Sequence, residues 1–404
     1  MKVSLIAKAA KVQPVARIEY TDELPENELI QSLVAVHGSP LLILNCDAVR
    51  RQYQLLSAAL PGVTLHYALK PLPHAAVVKT LLEKGASFDL ATNGEVDMVR
   101  DAGVPAETTI HSHPIKRDAD IRYALEYGCT TFVVDSIHEL EKFIPYRDEA
   151  QVLVRLSFRN EAAYADLSKK FGCTPAKAID IIQHAYNLGI RVKGLSFHVG
   201  SQTAEPSKYV DAIRSSNDVI KQVTAMGLPA LRTLDIGGGF PVEYTEDVMP
   251  IDEFCGPIRE ALAELPQSVN VIAEPGRFMV ASSVTSVSSV MGQAEREGKT
   301  WYYLDDGVYG SFSGLIFDHG NYPVDAMNWQ GERFASVLAG PTCDSIDVIN
   351  EDIMLPKLND GDLIVGRMMG AYTAATATEF NFFKKAEIVV LNENTQTNVS
   401  NLSA

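Results

Sequence analysis

Between residues 65 and 274 the chain carries eight short apolar runs, each followed by a helix-like stretch or a loop. The runs cover 65–69, 87–91, 109–112, 131–135, 152–157, 194–199, 233–236 and 271–274. Such alternation specifies repeated β-α units on a parallel sheet. Eight repeats over a span close to the ~250 residues typical of a (β/α)8 barrel, with no dinucleotide fingerprint, predict a closed TIM-like barrel and not an open doubly wound sheet. Ahead of the barrel, the run 41–46 follows the turn Gly38-Ser39-Pro40 and reads as a strand. Asp47 is expected to cap an amphipathic helix that runs to about Leu60 and stops at Pro61-Gly62.

After about residue 280 the texture changes. The segments 282–291, 301–304, 336–338, 362–366 and 386–391 read as strands divided by turns such as Asp305-Asp306-Gly307 and Asn359-Asp360-Gly361. A chain of 404 residues is too long for one ordinary core. The expected division is an N-terminal segment, 1–46, contributing to the β domain; the barrel, 47–280; a mainly β, Greek-key-like domain, 281–392; and a polar, disordered tail, 393–404.

The balance of 35 basic against 51 acidic residues gives a net charge of −16. Nucleic acid and anionic membrane surfaces repel such a body, so neither is expected as a partner. No apolar stretch approaches the ~20 residues of a spanning helix, and the lysines of MKVSLIAKAAK break up any signal-peptide core. Five scattered cysteines (Cys46, Cys129, Cys173, Cys255 and Cys343) form no C-x-x-C pair. They read as free thiols in a reducing cytoplasm, with no metal site. His111 and His113 alternate along one run, but two histidines without a third ligand make a poor metal site. The sequons at Asn398 and Asn401 are taken as chance matches.

In a (β/α)8 barrel the active site lies at the C-terminal ends of the strands. Those ends carry Lys70, Asp89, His113, Asp135, Arg155, His198, Gly237-Gly238-Gly239, Glu274 and Arg277. Taken singly, each has an ordinary reading. A lone lysine at a strand end is usually solvated, a glycine triplet is usually a turn, and a lone histidine is usually a core residue. Glu95 completes a capping box with Thr92. Together they suggest chemistry. Lys70 suits a Schiff-base amine activated by desolvation near cations. The glycines let backbone amides approach a phosphate, and Arg277 supplies it a charge. A carboxylate such as Glu274 would keep a pyridine nitrogen protonated, and His198 could lie flat on a planar cofactor.

Eight stretches occur in an order that resembles the fold-type III pyridoxal-phosphate decarboxylases, ornithine decarboxylase branch. They are Tyr67-Ala68-Leu69-Lys70, Phe88-Asp89-Leu90-Ala91, Ser196-Phe197-His198-Val199-Gly200-Ser201, Leu234-Asp235-Ile236-Gly237-Gly238-Gly239-Phe240-Pro241 and Ala273-Glu274-Pro275-Gly276-Arg277, then Asp306-Gly307-Val308-Tyr309-Gly310-Ser311-Phe312, Gly340-Pro341-Thr342-Cys343-Asp344 and Met369-Gly370-Ala371-Tyr372-Thr373. The resemblance covers roughly residues 40–385. It implies an alanine-racemase-like pairing of barrel and β domain, pyridoxal 5′-phosphate on Lys70, and a head-to-tail homodimer with shared active sites. It further implies that Ser201, the glycine turn, Gly276, Arg277 and Tyr372 hold the phosphate, with Glu274 at the pyridine nitrogen. His198 would stack on the ring and Asp89 would lie beside the lysine. Cys343 from the partner would reprotonate the carbon that loses carbon dioxide.

By the same resemblance Asp318, Asp344 and Tyr372 would bind substrate, the two aspartates facing the distal ammonium of a basic L-amino acid. Ornithine (to putrescine) and lysine (to cadaverine) are expected; arginine and diaminopimelate are the alternatives. Ornithine and lysine differ by one methylene, worth only ~1–3 kcal/mol. His113-Pro114 stands where Asn-Pro is more usual, and 159–166 is an unusual link. A racemase and an inactive regulatory homologue are the competing readings; the latter kind loses cofactor residues, which are all present here.

Overall fold

A computed structural model describes residues 27–159, 167–327 and 330–393. The N-terminal segment MKVSLIAKAAK, most of the 159–166 link, the tail beyond residue 393 and both sequons lie outside the described residues.

The first strand, β1 (Leu41–Asn45), is buried throughout and leads straight into the helix Cys46–Ala59. That helix begins ahead of Asp47. Its cap is Asn45, whose side chain accepts the Asp47 amide at 3.0 Å, so the expected cap at Asp47 is corrected by two residues. Asp47 instead sits in the first turn, where a carboxylate favours the helix dipole, and pairs with Arg50 at 2.8 Å.

Eight parallel strands then close on themselves: β2 (Val63–Ala68), β3 (Ser87–Leu90), β4 (Thr109–His111), β5 (Thr131–Val134), β6 (Gln151–Arg155), β7 (Arg191–Ser196), β8 (Thr233–Asp235) and β9 (Asn270–Ala273). Closure is the parallel pairing of β9 with β2, Leu65 opposite Ala273. The helices between them carry their own punctuation. In Pro175–Leu188 the Thr174 side chain caps the start, Pro175 occupies the first turn, and Gly189 closes the end in the left-handed region.

Strand alternation sorts side chains between two cores. Phe88, Leu90, Phe132 and Val134 pack outward under the helices in the main cluster. Ile110, Val133, Leu153 and Ile272 form a separate cluster, which strands as distant as β6 and β9 can share only across the barrel's interior. This apolar plug closes the barrel beneath its C-terminal rim.

The second region is an eight-stranded sheet in the order β12-β15-β10-β11-β13-β14, with β1 and β16 attached through β10. The members are β10 (Val284–Arg296), β11 (Lys299–Leu304), β12 (Val324–Ala326), β13 (Phe334–Ala339), β14 (Val348–Leu355), β15 (Leu363–Gly366) and β16 (Glu387–Leu391). β1 runs antiparallel to β10 and parallel to β16, so the strand before the barrel is built into this sheet. β12 and β14 escape the hydrophobic pattern. β14 is an edge strand whose apolar run is interrupted by half-buried Asn350 and exposed Glu351 and Asp352. Among the described residues no helix is long and apolar enough to cross a membrane.

Candidate active site

The barrel strands end one to three residues before the apolar runs do, and the surplus residues make the rim. β2 stops at Ala68, and Leu69 starts a turn that closes with Leu72 N–H on its carbonyl at 3.1 Å. Lys70 is thereby lifted out of the sheet. Beyond β8 and β9 the backbone stays zipped: the Glu274 amide donates to Gly237 O at 2.8 Å, and the Ala68 amide to Pro275 O at 3.2 Å.

A cavity of about 240 Å³ opens on this rim. Lys70, His198 and Glu274 line one part of it; Ser201, Gly238, Gly239, Gly276 and Arg277 line another. The β region adds Phe317, Asp318 and Tyr372. Asp89 and Gly237 lie just behind these. Asp89 is buried, opposite Ala68 in the β2–β3 register, and Gly237 joins its carbonyl to Glu274.

The glycines are required before any ligand is considered. A Cβ on Gly239 would stand 2.0 Å from Gly200 O, at a φ of +108°, and one on Gly238 would stand 2.4 Å from Glu274 O. The ends of β7, β8 and β9 approach too closely for side chains. Tyr372 is held in the left-handed region, φ +58°, with its amide on Pro71 O at 3.0 Å. A strained non-glycine residue of this kind is concentrated at functional sites. It ties a loop of the β region to the turn that bears Lys70.

At one end of the cavity three carboxyls gather. Asp235 is fully buried, its Oδ1 accepting the Gly237 amide at 2.9 Å, and its carboxyl shares a hydrogen bond with Glu274. Burial pushes Asp235 up to about 7. Burial first, and Asp235 second, push Glu274 well above the carboxylate range; Asp89 rises from burial and the nearby Glu274. His198 accepts the Gly200 amide on Nδ1 at 3.0 Å, which places a neutral ring's proton on Nε2. Burial, Lys70 and Arg155 push its pKa well below the usual value, favouring the neutral form.

Lys70 corrects the expectation of a depressed amine. Burial does lower its pKa, but Tyr372, Asp89 and Glu274 outweigh burial, and the net displacement is upward. The side chain also still reaches solvent through the cavity. The carboxyls of Asp89 and Glu274 and the Tyr372 hydroxyl favour the charged amine.

At the other end Arg277 is buried and over-supplied with acceptors. Nη1 donates to Tyr244 Oη at 2.8 Å; Nη2 donates to Ser201 Oγ at 2.8 Å and to Asp318 Oδ1 at 2.7 Å. Its guanidinium lies 4.9 Å over the Tyr372 ring. Asp318 thus lines the cavity, but paired to the arginine.

Cys343 and Asp344 are not in this cavity. Cys343 is exposed, its amide on Asn381 Oδ1 at 3.1 Å, and Asp344 Oδ2 accepts from Tyr309 Oη at 2.5 Å. His113, Asp135 and Arg155 sit on the rim without lining the cavity. His113 Nδ1 accepts the Ile115 amide, Asp135 accepts the Gly172 amide, and Arg155 lies over Phe171. Glu95 makes the capping box expected of it. No metal-binding group of histidines, cysteines and acids occurs among the described residues.

Two residues of the site were not singled out from sequence. Asp235 had a usable signal, since an acid inside an apolar strand must be buried and therefore partnered or protonated. Tyr244 had none; it follows the glycine turn in a stretch with no periodicity.

The residues fit a phosphorylated pyridine aldehyde. An amine, a carboxyl held protonated and an arginine stand along one cavity, while Arg277 Nε and Asp89 Oδ1 have no hydrogen-bond partner among the described residues. Comparison with known proteins agrees. Residues 46–281 match the family model of the pyridoxal-dependent decarboxylase pyridoxal-binding domain. The chain is 63% identical to the Vibrio vulnificus lysine/ornithine decarboxylase crystallised with putrescine, at a TM-score of 0.88 over 91% of this chain and 99% of that one. A cadaverine complex from the same organism gives 64% identity over 91% and 97%, again at 0.88. Lysine/ornithine decarboxylase of Selenomonas ruminantium is 34% identical over 92% of this chain and 94% of its own. Antizyme inhibitor 2 of Xenopus laevis is 36% identical over 85% and 78%.

Proposed function

The chain belongs to the family of pyridoxal-dependent decarboxylases, its ornithine/lysine branch, and we propose that it converts L-lysine to cadaverine and L-ornithine to putrescine. It is a carboxy-lyase with pyridoxal 5′-phosphate as cofactor. The observation that carries the roles below is that an amine (Lys70), a carboxyl (Glu274) and a guanidinium (Arg277) line a single cavity. They are the partners that the aldehyde, the ring nitrogen and the phosphate of one cofactor would need.

When bound, the cofactor supplies an electron sink for the bond to the departing carboxylate. The protein's share is binding, orientation and proton control. Arg277 and Ser201 would hold the phosphate with the amides of Gly238, Gly239 and Gly276, and Tyr372 would close over it. Glu274, kept protonated by burial and Asp235, offers its proton at the ring nitrogen. His198, neutral, lies against the ring face. Lys70 would anchor the aldehyde and would return to release the amine product, with the Asp89 carboxyl beside it.

Cys343 and Asp344 come from a second copy of the chain. Their turn does not line the cavity of its own subunit, and exposed apolar side chains lie near it in the chain or beside its partner Asn381: Ile346, Phe380 and Phe382. In the head-to-tail homodimer the Cys343 thiol delivers the proton to Cα after carbon dioxide leaves, and Asp344 joins Asp318 at the distal ammonium. Two short acids suit an ω-amino group better than a guanidinium or a second carboxylate. The four buried free cysteines and the exposed Cys343 suit a reducing cytoplasm.

The test is incubation of the purified protein and cofactor with L-ornithine, L-lysine, L-arginine and meso-diaminopimelate separately, with amines quantified by mass spectrometry. Cadaverine and putrescine are expected. No amine from any substrate, with cofactor bound, would sink the assignment in favour of the regulatory reading that the antizyme-inhibitor likeness raises.

A further inference from the structure

Arg277 and Asp318 belong to different ends of the chemistry, yet here they hold each other. In the proposed function the arginine meets an anionic phosphate and the aspartate a cationic ammonium, and the inference rests on that reading. We propose that the Arg277–Asp318 pair is a charge latch that makes anion binding at one end of the cavity and diamine binding at the other mutually favourable.

The pair is close but incomplete. Both Asp318 oxygens crowd one nitrogen, Nη2, at 2.7 and 2.6 Å. The side chains are only 5% and 10% exposed, so solvent does little to screen them. A parallel two-nitrogen fork, the stronger arrangement, is not formed. Arg277 Nε has no hydrogen-bond partner among the described residues, and neither has Asp318 Oδ2. Nη1 donates to Tyr244 and Nη2 also donates to Ser201.

A phosphate arriving at Arg277 must share Nη2 with a carboxylate already there, and it brings negative charge against negative charge in a buried setting. Asp318 then either stays, opposing the phosphate, or turns away. Turning away leaves a buried carboxylate unpaired, which is costly unless a cation meets it. The distal ammonium of a diamine or diamino acid is such a cation. Conversely, an ammonium at Asp318 loosens its hold on Nη2 and frees the guanidinium for phosphate. The Asp318 amide stays on Gly314 O at 3.0 Å, so the exchange needs rotation of the carboxylate and not movement of the chain. Each ligand therefore removes the other's competitor. Linkage makes the effect reciprocal, and couplings of this kind are typically ~5–150-fold.

The experiment uses the full-length chain freed of cofactor, with pyridoxamine 5′-phosphate as the probe. It carries the phosphate and ring but no aldehyde, so neither Lys70 nor an added amine can react with it. Calorimetric titration is run with and without saturating putrescine, and repeated with cadaverine. Diamine is expected to tighten the probe by about five-fold or more. In Asp318→Asn, an isosteric change, the probe binds more tightly than to wild type without diamine, and the diamine effect disappears. Arg277→Gln tests the underlying reading separately and should weaken the probe far more than it weakens unphosphorylated pyridoxamine. If Arg277→Gln behaves so but diamine has no effect on wild type, or weakens binding, the latch is overturned while the phosphate site stands. If Arg277→Gln leaves probe affinity unchanged, both fall.

Discussion

The barrel rim and the turn Gly340–Asp344 handle polar groups in opposite ways. On the rim Glu274, Asp318, a lysine and an arginine line one cavity with Asp89 and Asp235 buried behind it, several polar atoms lack partners among the described residues, and the carboxyls of Asp89, Asp235 and Glu274 are raised above the ordinary range. In the turn, Asp344 is met by the Tyr309 hydroxyl, the Thr342 amide by Asp347 Oδ2 and the Cys343 amide by Asn381, and the thiol points outward. Strained, under-satisfied surroundings suit a side that receives ligand; a turn braced through its backbone amides and its carboxylate, with only Thr342 Oγ1 left unpaired among the described residues, suits a side that delivers a group elsewhere. On the proposed function, one subunit would carry a receiving half-site and a donating half-site, and the two do not meet within it.

The largest effects break that division directly. Lys70→Ala should reduce decarboxylation to background and remove the visible absorption band of lysine-bound cofactor. Cys343→Ala should keep the band and lose ~10²–10⁴-fold in turnover, the range for a positioned general acid. Mixing the two inactive variants then decides where Cys343 acts. Random assortment puts one intact site in half of the dimers, about a quarter of the wild-type sites. Recovery near that level supports sharing between copies; none would mean that both residues act within one chain.

Next in size is a comparison of glycines. Gly239→Ala on the rim meets Gly200 O as well as an unfavourable φ, and should destabilise the chain by about 3 kcal/mol or more. Gly361→Ala, in the β-region turn at φ +92° with nothing within 4 Å, carries the conformational strain alone, about 1–2 kcal/mol. Urea midpoints read both. Equal losses would show that crowding at the rim relaxes and that the glycines there serve conformation only.

The same two regions differ in how far their sequences could be read. The eight barrel strands announce themselves because each is an apolar run between turn residues, buried on both faces. The rim residues follow from position, since strand ends are where such a barrel does its chemistry. β14 is illegible because Asn350, Glu351 and Asp352 break its apolar run, and the cap at Asn45 is displaced because the strand and helix abut without a linker. Lys70's raised pKa and the Arg277–Asp318 pairing were out of reach for a different reason. Which of 51 acids meets which of 35 bases is decided by chain packing over long separations, 41 residues in the latter case, and no local pattern encodes it.

The smallest predicted effect concerns the acid hidden behind Glu274. Asp235 is raised from 3.8 to about 7, burial being the largest cause. A folded-state pKa above the unfolded one means that the folded chain binds the extra proton between pH 3.8 and about 7. Stability from this group is therefore full below that window and declines as pH climbs through it. Asp235→Asn keeps an oxygen for the Gly237 amide and cannot ionise. Relative to wild type it should gain stability between pH 5 and pH 7.5, by on the order of 1 kcal/mol, read from urea midpoints at the two values. Asp306, the buried acid of the β region, is raised only to about 6 and its Oδ1 accepts two backbone amides, from Gly307 and Ser311. The corresponding Asp306→Asn gain should be complete at a lower pH. If the gap between Asp235→Asn and wild type stays constant across pH, Asp235 is not the proton-sharing partner of Glu274. The under-satisfied character of the rim would then rest on Asp89 and Arg277 alone.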